Sequence, residues 1–369
     1  MLDRLFSPRS IAVIGASKTV GKVGYLTLSN LVQSGFQGPI VPVNSAGGEL
    51  LGLTVYKHLA DYPDAIDLVV IAVPAEMVPA AASEAVAKKA GAVVVVASGF
   101  KEAGPEGRAL EDELIAICRR GGVRLLGPNC LGVINTAIRM NASFSRRIPQ
   151  AGSMAIFSQS GALCTAMMDI ADERELGVSK AISIGNKADI TEVDVLEALA
   201  EDEDTKVIVG YLEDISDGDR FVKAAEAASN RKPVVILKAG TTTAGSRAAA
   251  NHTGVLVGKD TAYGAAFKRA GICRADTFDA LFDLATALAL QPTPKGDRVL
   301  IITNSGGSGT ISADAVEKAG LSVATLGEEL ARQLRRALPA AAFIDNPIDI
   351  SAAAEPRHYA AALDIVAAE

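Results

Sequence analysis

Residues 67–73, DLVVIAV, form a short run of apolar and mostly β-branched residues, and residues 92–98, AVVVVAS, repeat the pattern. Such runs are typical of strands that are buried on both faces of a parallel sheet. The segment AEMVPAAASEAVAKKAG, which has a helical pattern, separates the two runs. Strands that alternate with helices predict an α/β fold with a parallel sheet.

The same alternation extends in both directions from this stretch. It begins at SIAVIGAS (10–17) and ends near GPNCLGVIN (127–135), which predicts a first α/β domain over residues 1–145. A second series of strands and helices predicts a domain over residues 146–290. The Pro-containing linker QPTPKGD leads into a shorter third series over residues 291–369, which we expect to be the incomplete start of a further domain.

Composition argues against several classes of protein. A net charge of −7 and a pI near 5.2 disfavour a general nucleic-acid surface. No apolar run reaches the roughly 18 residues of a membrane span, and the N-terminal MLDRLFSPRS lacks a signal-peptide pattern. The four cysteines form no CxxC pair and the chain has three histidines, so no metal site is expected. We expect a cytoplasmic protein that binds neither nucleic acid nor membrane.

Three glycine-rich turns follow predicted strands: GASKTVGKVG (15–24), SQSGAL (158–163) and NSGGSGT (304–310). Glycines let the backbone approach an anion closely, and the free N–H groups of the next helix point toward it. Each turn is therefore a candidate phosphate site. An ordinary tight turn explains the first equally well, and a serine N-cap explains the second.

Two of these turns depart from well-known motifs. The first has five residues between Gly15 and Gly21, and Val23 replaces the hydroxyl residue of a P-loop. Its glycine spacing is not GxGxxG, and the second predicted strand ends in Asn44 rather than in an acidic residue, which disfavours a Rossmann-type oxidoreductase. The second turn lacks the GxSxG pattern of an α/β-hydrolase.

One histidine has unusual neighbours. His252 lies in GSRAAANHTGVLVG (245–258) among small residues, whereas a core histidine is expected among larger apolar ones. The pattern indicates a ring presented on a mobile loop. Neutral imidazole is nucleophilic near pH 7 and forms covalent intermediates, although a surface histidine without a function fits the same pattern. We expect His58 and His358 to be structural or solvent-facing.

Taken together, the motifs resemble those of nucleoside-diphosphate-forming acyl-CoA synthetases, relatives of the succinyl-CoA synthetase α subunit and of ADP-forming acetate–CoA ligase. They lie in order along nearly the whole chain. They are SIAVIGAS, LLGPNCLGVIN, GSMAIFSQSGAL, SIGNKADITEVDVLEAL, ILKAGTTTAGSRAAANHTG and TNSGGSG followed by NPIDIS. The resemblance implies an N-terminal Rossmann-like CoA-binding domain followed by flavodoxin-like ligase domains with parallel sheets. It also implies an acid–thiol ligase that interconverts acyl-CoA, ADP and phosphate with a small carboxylic acid, CoA and ATP.

The resemblance assigns roles to residues. An acyl phosphate forms first, and its phosphoryl group moves to His252 and then to the nucleotide. The resemblance implies that Glu213 in GYLEDISD orients the histidine. Asn251 stands where many members have serine. The implied phosphate-binding residues, at two helix N-termini beside the phosphohistidine, are Ser158, Ser160, Gly161, Asn304, Ser305, Gly306 and Gly307. The implied CoA-binding residues are Gly15, Ser17, Lys18, Gly21, Lys22, Val73, Pro74, Asn129 and Cys130.

The family also needs an ATP-grasp unit, and nothing in this sequence resembles one. The resemblance therefore implies that ADP, ATP and Mg²⁺ bind to a unit on another chain or on a further part of this one, within an oligomeric enzyme. A competing hypothesis is a CoA-binding regulatory module of the kind fused to protein acetyltransferases. Such modules lack the histidine, so His252 favours the ligase.

Overall fold

The computed structural model of the chain describes residues 2–253, 260–292 and 294–368, without the side chains of residues 250–253. It divides into two compact units, Met1–Gln291 and Pro292–Glu369, which are described separately. Within the described ranges, no helix is both long enough and apolar enough to span a bilayer.

The first sheet of the larger unit is parallel, with the strand order β2-β1-β5-β6-β7. Every residue of β1, β5 and β6 is buried, as the apolar runs predicted. A small antiparallel hairpin, β3–β4, follows β2. The strands are β1 Ile11–Ile14, β2 Ile40–Val43, β3 Gly48–Leu50, β4 Leu53–Val55, β5 Leu68–Ile71, β6 Ala92–Val95 and β7 Arg124–Leu126.

Helices connect these strands. The helix after β1 ends at Gly35, whose left-handed φ of 77° closes the helix. The α-helices of this region are α1 Asp3–Phe6, α2 Val23–Ser34, α3 Val78–Ala87 and α4 Pro105–Gly121, and the short 3₁₀ segments are Leu59–Asp61, Ala75–Met77 and Lys101–Ala103.

The second sheet has the order β14-β13-β12-β10-β11-β8-β9. Strands β10 to β14 pair in parallel, whereas the hairpin β8–β9 pairs antiparallel with β11. The sequence analysis did not identify this hairpin, and it precedes the predicted domain boundary at residues 145/146, which stays a prediction. The strands are β8 Gly132–Asn135, β9 Met140–Ser143, β10 Ala151–Ser158, β11 Val178–Ser183, β12 Val207–Leu212, β13 Val234–Lys238 and β14 Cys273–Ala275.

Four helices of this second sheet begin at side chains that accept hydrogen bonds from free backbone N–H groups. Ser160, Thr191, Asp217 and Thr277 each cap a helix in this way. The helices are α5 Gly161–Glu173, α6 Glu192–Glu201, α7 Gly218–Ser229, α8 Thr243–Thr253, α9 Asp260–Arg269 and α10 Phe278–Leu290.

Helix α8 corrects one expectation. The loop predicted around His252 is wrong as far as residue 253, because the backbone of residues 243–253 is helical. The run of alanines and Arg247 explains the helix, since both residue types have high helix propensity. Residues 254–258 of the predicted loop lie outside the described residues.

The smaller unit contains two pairs of short parallel strands and three helices within its described residues. The strand predicted before NSGGSGT (304–310) is divided in two. The Asn346 amide accepts a hydrogen bond from Ile301 N–H at 2.9 Å and donates one to the Val299 carbonyl at 2.9 Å. The elements are β15 Arg298–Val299, β16 Ile302–Thr303, α11 Gly306–Lys318, β17 Ser322–Val323, α12 Glu328–Ala337, β18 Ile348–Asp349 and α13 Pro356–Ala367.

Candidate active site

The carboxyl ends of β10, β11 and β12 meet at one edge of the second sheet, because these strands are adjacent and parallel. The loops that leave this edge contain SQSG (158–161), GNKAD (185–189) and EDIS (213–216). Ligands of parallel α/β sheets bind at this edge. The fold therefore brings three of the predicted motifs together.

The GPNC loop (127–130) joins the same group. The N–H of Asn186 donates to the Pro128 carbonyl at 2.9 Å, and the N–H of Ala188 donates to the Gly127 carbonyl at 3.0 Å. The side-chain amide of Asn129 donates to Asn186 Oδ1 at 3.3 Å. The predicted CoA-binding residue Asn129 thus lies beside GNKAD.

The hydroxyl groups of the SQSG turn support the start of α5. Ser160 accepts a hydrogen bond from Leu163 N–H at 3.3 Å, which is the N-cap arrangement. Ser158 is completely buried, and its hydroxyl donates to the Ser160 carbonyl at 2.7 Å. Gly161 is half-buried at the first position of the helix. Phosphate binding by Ser158, Ser160 and Gly161 stays a prediction.

Glu213 follows β12 and is 5 % exposed. The hydroxyl of Tyr211 donates to Glu213 Oε1 at 3.3 Å. The backbone N–H of Glu213 donates to Gln159 Oε1 at 2.6 Å, and its carbonyl accepts a hydrogen bond from Lys238 Nζ at 2.7 Å. Both ends of this residue are therefore held by buried side chains from neighbouring strands.

A buried ion-pair network includes Asp214, the residue that follows Glu213 in the chain. Lys187 Nζ is 3.1 Å from Asp214 Oδ2 and 3.2 Å from Glu192 Oε2, and the three side chains are at most 4 % exposed. The Glu192 contact is an ion pair without hydrogen-bond geometry. Burial alone would raise the pKa of Asp214, but the charge of Lys187 and the hydrogen bonds from Gln159 and Lys187 outweigh it, so the pKa is lowered.

Lys238 ends β13 and is 4 % exposed. Its ammonium group lies 4.2 Å from the centre of the Tyr263 ring and donates to the Glu213 and Ala239 carbonyls. Burial lowers its pKa to about 8 although nearby carboxylates act in the opposite direction. This lysine ties the end of β13, from which the chain leads into α8, to the residue after β12.

Sequence reasoning missed four of these residues: Gln159, Lys187, Asp214 and Lys238. Each of them stands inside a motif that was quoted for the resemblance or next to Glu213. Charged or amide residues inside or next to these motifs were the available signal.

The backbone of His252 lies in the last turn of α8, and its side chain is outside what the structure describes. Asn304, Ser305, Gly306 and Gly307 are exposed at the start of α11 in the smaller unit. That these four residues flank the histidine stays a prediction.

The first glycine-rich turn is open to solvent. Lys18, Gly21 and Lys22 are exposed, and Ser17 is half-buried. The base of the turn is fixed, because the Asn44 side-chain amide donates to the Ala16 carbonyl at 2.9 Å. Asn44 therefore has a structural role at the position where a dinucleotide site has an acidic residue.

Gly15 begins this turn with a φ of +91°. A Cβ at this position would lie 2.4 Å from the Ala72 carbonyl oxygen and 2.8 Å from Val73 Cγ1. The predicted residues Gly15, Val73 and the exposed Pro74 thus lie side by side at the end of the first sheet.

Cys130, predicted at the thiol end of CoA, is 3 % exposed. Its thiol donates to the Val95 carbonyl at 3.3 Å, and burial raises its pKa to about 12. The side chain is therefore part of the core, and CoA binding at Cys130 stays a prediction.

Three protein families match consecutive parts of the chain. A CoA-binding domain matches residues 9–136, a succinyl-CoA ligase-like flavodoxin domain matches residues 151–288, and a ligase-CoA domain matches residues 299–368.

Curated relatives match nearly the whole chain. The α subunit of acetate–CoA ligase [ADP-forming] I from Pyrococcus furiosus is 42 % identical over 366 residues, which cover 98 % of this chain and 79 % of the relative. Acetate–CoA ligase [ADP-forming] I from Archaeoglobus fulgidus is 43 % identical over 365 residues, or 99 % of this chain, and the chain spans 53 % of its length.

A solved structure has the same fold. It is the dinucleotide-forming acetyl-coenzyme A synthetase 1 of Ca. Korarchaeum cryptofilum in complex with phosphate and ADP. The two chains are 39 % identical and superpose with a TM-score of 0.95 over 99 % of this chain and 79 % of that one. The likeness confirms the predicted α/β fold class.

Proposed function

This chain belongs to the family of nucleoside-diphosphate-forming acyl-CoA ligases, and on that premise we propose that it carries the phosphohistidine of an acid–thiol ligase at His252. The reaction converts acyl-CoA, ADP and phosphate to a carboxylic acid, CoA and ATP, and it is reversible.

One observation carries the proposal. Glu213 directly follows β12 in the chain, and the segment that contains His252 follows β13, the adjacent parallel strand. Both therefore start from the same edge of the sheet, and Lys238 Nζ joins the two segments through the Glu213 and Ala239 carbonyls. This arrangement supports a glutamate that serves a histidine on the neighbouring segment.

The chemistry follows from the two side chains. One neutral imidazole nitrogen of His252 attacks the phosphorus of an acyl phosphate, a P–N bond forms, the P–O bond to the acyl group breaks, and a carboxylate leaves. The other nitrogen carries a proton, and Glu213 accepts its hydrogen bond, which fixes the tautomer. Attack by the terminal phosphate of ADP then breaks the P–N bond and regenerates the imidazole.

The N-terminus of α5 supports a role in binding the transferred phosphoryl group. Its first N–H groups lack partners within the helix, and the helix dipole favours an anion there. Uncharged N–H donors stabilise the phosphate oxygens without forming a tight ion pair. We assign the same role to the start of α11.

We assign CoA to the first sheet. The exposed Lys18 and Lys22 suit its phosphates as point charges. The close packing of Gly15 against Ala72 and Val73 suits an approach of the ligand to the backbone at the end of β1.

We assign ADP and Mg²⁺ to an ATP-grasp unit on a partner chain or on a further part of this protein. Both assignments rest on the family resemblance. We further propose that the complete enzyme is an oligomer and acts in the cytoplasm.

The experiment that tests this function is phosphoryl labelling of the complete enzyme. Radiolabelled inorganic phosphate with an acyl-CoA is expected to leave an acid-labile, base-stable label on this chain. His252→Ala is expected to take up none, because the acceptor nitrogen is gone. The controls His58→Ala and His358→Ala are expected to keep the label. Both histidines are far in sequence from the loops that form the sheet edge, and His58 is exposed.

Label on His252→Ala would contradict the assignment. A wild-type enzyme that binds CoA but takes no label would favour the regulatory module instead. If the label is found on His252, a screen of carboxylic acids with CoA and ATP on the same enzyme identifies its substrate.

A further inference from the structure

The side chain of Gln159 lies between the start of α5 and Glu213. Its Oε1 accepts hydrogen bonds from the backbone N–H groups of Glu213 at 2.6 Å and of Asp214 at 3.1 Å. Its Nε2 donates to Asp214 Oδ1. The side chain is 8 % exposed, and all three contacts are buried.

The charge state of Asp214 fixes the orientation of this amide. Lys187 Nζ contacts Asp214 Oδ2 at 3.1 Å, the pKa of Asp214 is lowered, and an ionised carboxylate only accepts hydrogen bonds. The Nε2 end of Gln159 must therefore face Asp214. The Oε1 end is left to the two backbone N–H groups, and this arrangement satisfies every buried partner.

Gln159 is also the residue directly before the N-cap of α5. Ser160 caps that helix, and the N–H of Gln159 donates to the Tyr211 carbonyl in β12 at 3.1 Å. Backbone and side chain of one residue therefore connect the helix start to both sides of Glu213.

We propose that Gln159 is a positioning residue that sets the place of Glu213 relative to the N-terminus of α5. This inference rests on the proposed function, because it concerns the group that orients His252 and the helix end that receives its phosphate. A shift of about 1 Å between such groups is enough to slow a reaction by roughly 10²-fold.

The test replaces Gln159 with an isosteric acid and with an apolar residue. Gln159→Glu keeps the acceptor for the two N–H groups, but its second oxygen faces Asp214. When this carboxyl is protonated it donates to Asp214 as the amide does, and when it is ionised the two carboxylates repel each other. Among the described residues, the other charged groups around this position are Lys101, Lys187, Glu192, Glu213 and Lys238.

The measurement is the rate of label uptake by the complete enzyme at saturating acyl-CoA, divided by the wild-type rate at the same pH. For Gln159→Glu this ratio is expected to fall at least about tenfold between about pH 5.5 and about pH 8.5, as the new carboxyl ionises. The Gln159→Leu enzyme is expected to take up label roughly 10²-fold more slowly than the wild type at every pH. Its KM for acyl-CoA is expected to be unchanged.

Asn135→Asp is the matched control. Asn135 is a buried amide that bridges the Phe6 carbonyl at 2.8 Å and the Ala137 N–H at 3.1 Å, away from the sheet edge. The Asn135→Asp exchange is expected to lower the free energy of unfolding as the pH rises. Its labelling rate relative to the wild type is expected not to change with pH.

A flat ratio for Gln159→Glu, or wild-type labelling by Gln159→Leu, would overturn this inference while the proposed function stands. A wild-type enzyme that takes no label would overturn both. Gln159→Glu preserves the size of the side chain, so it decides the question even where Gln159→Leu does not fold.

Discussion

The turn after β1 leaves Lys18 and Lys22 in solvent, whereas the turn after β10 buries Ser158 and Gln159. Both turns follow an interior strand whose two neighbours run parallel to it, and both precede a helix. In the first turn the side chains are available to a ligand, whereas in the second they form hydrogen bonds within the protein. A turn that binds an exchangeable ligand needs accessible donors, and a turn that positions reacting groups needs its side chains fixed.

The base of the open turn provides the largest expected effect. Gly15→Ala is expected to lower the free energy of unfolding by about 3 kcal/mol, because the new Cβ overlaps the Ala72 carbonyl and φ is left-handed. Gly52→Ala is the control. Its φ is +76° with nothing within 4 Å of the new Cβ, so about 1 kcal/mol is expected. Chemical denaturation measures both, and equal losses would show that close packing does not fix the turn.

The buried turn is tested at the residue that it holds. Glu213→Gln is expected to slow phosphoryl labelling by roughly 10²-fold, because the amide presents a poorer partner to the imidazole. The affinity for CoA is expected to stay unchanged. Glu226→Gln, an exposed position on α7, is the control. An unchanged labelling rate would remove Glu213 from the site and with it the contrast between the two turns.

The accessible lysines of the first turn are expected to have a smaller effect. The double substitution Lys18→Ala and Lys22→Ala is expected to weaken CoA binding roughly tenfold at low salt and less at high salt, because salt screens exposed charges. Titration calorimetry at two salt concentrations measures this difference. Labelling at saturating acyl-CoA is expected to stay at the wild-type rate, and Lys223→Ala on α7 is the control. A loss of labelling instead of CoA affinity would reverse the roles of the two turns.

The smallest effect concerns Lys238 in the buried region. Its pKa is about 8 in the folded protein, below that of an exposed lysine, so the unfolded chain binds more protons above pH 8. The unfolding free energy of the wild type is therefore expected to rise by about 1 kcal/mol relative to Lys238→Met between about pH 8 and about pH 9. Below that range the difference is expected to be flat. A difference that falls with pH would contradict the burial of this lysine.

The parallel strands could be predicted because their residues are buried on both faces. Runs such as Leu68–Ile71 and Ala92–Val95 are apolar throughout, which only a covered sheet explains. The hairpin β8–β9 could not be predicted in this way. Asn135, Asn141 and Ser143 are polar, yet they are buried. Their burial depends on pairing with β11 and on partners distant in sequence, such as the Asn30 amide that donates to the Ser143 carbonyl at 2.8 Å.

The candidate site shows the same division. His252 and Glu213 could be proposed as site residues because their motifs resemble those of a family, and the family itself is confirmed by relatives that match almost the whole chain. Gln159 and Lys187 were missed because their roles arise from partners 55 and 27 residues away, which sequence spacing does not reveal. The helix at His252 was missed because Gly245, Ser246 and the preceding threonines favour turns, which obscured the helix propensity of the alanines.

The hairpin β8–β9 has a consequence for exchanging parts between related enzymes. It belongs to the second sheet by pairing, but its carbonyls and amides bond to α1 and α2 of the first region through Asn135 and Asn30. A chimera that joined the CoA-binding part of one homologue to the ligase part of another would separate these partners if the splice fell anywhere between residues 30 and 145. Residues 30, 135, 143 and 145 should therefore be inherited together from a single parent.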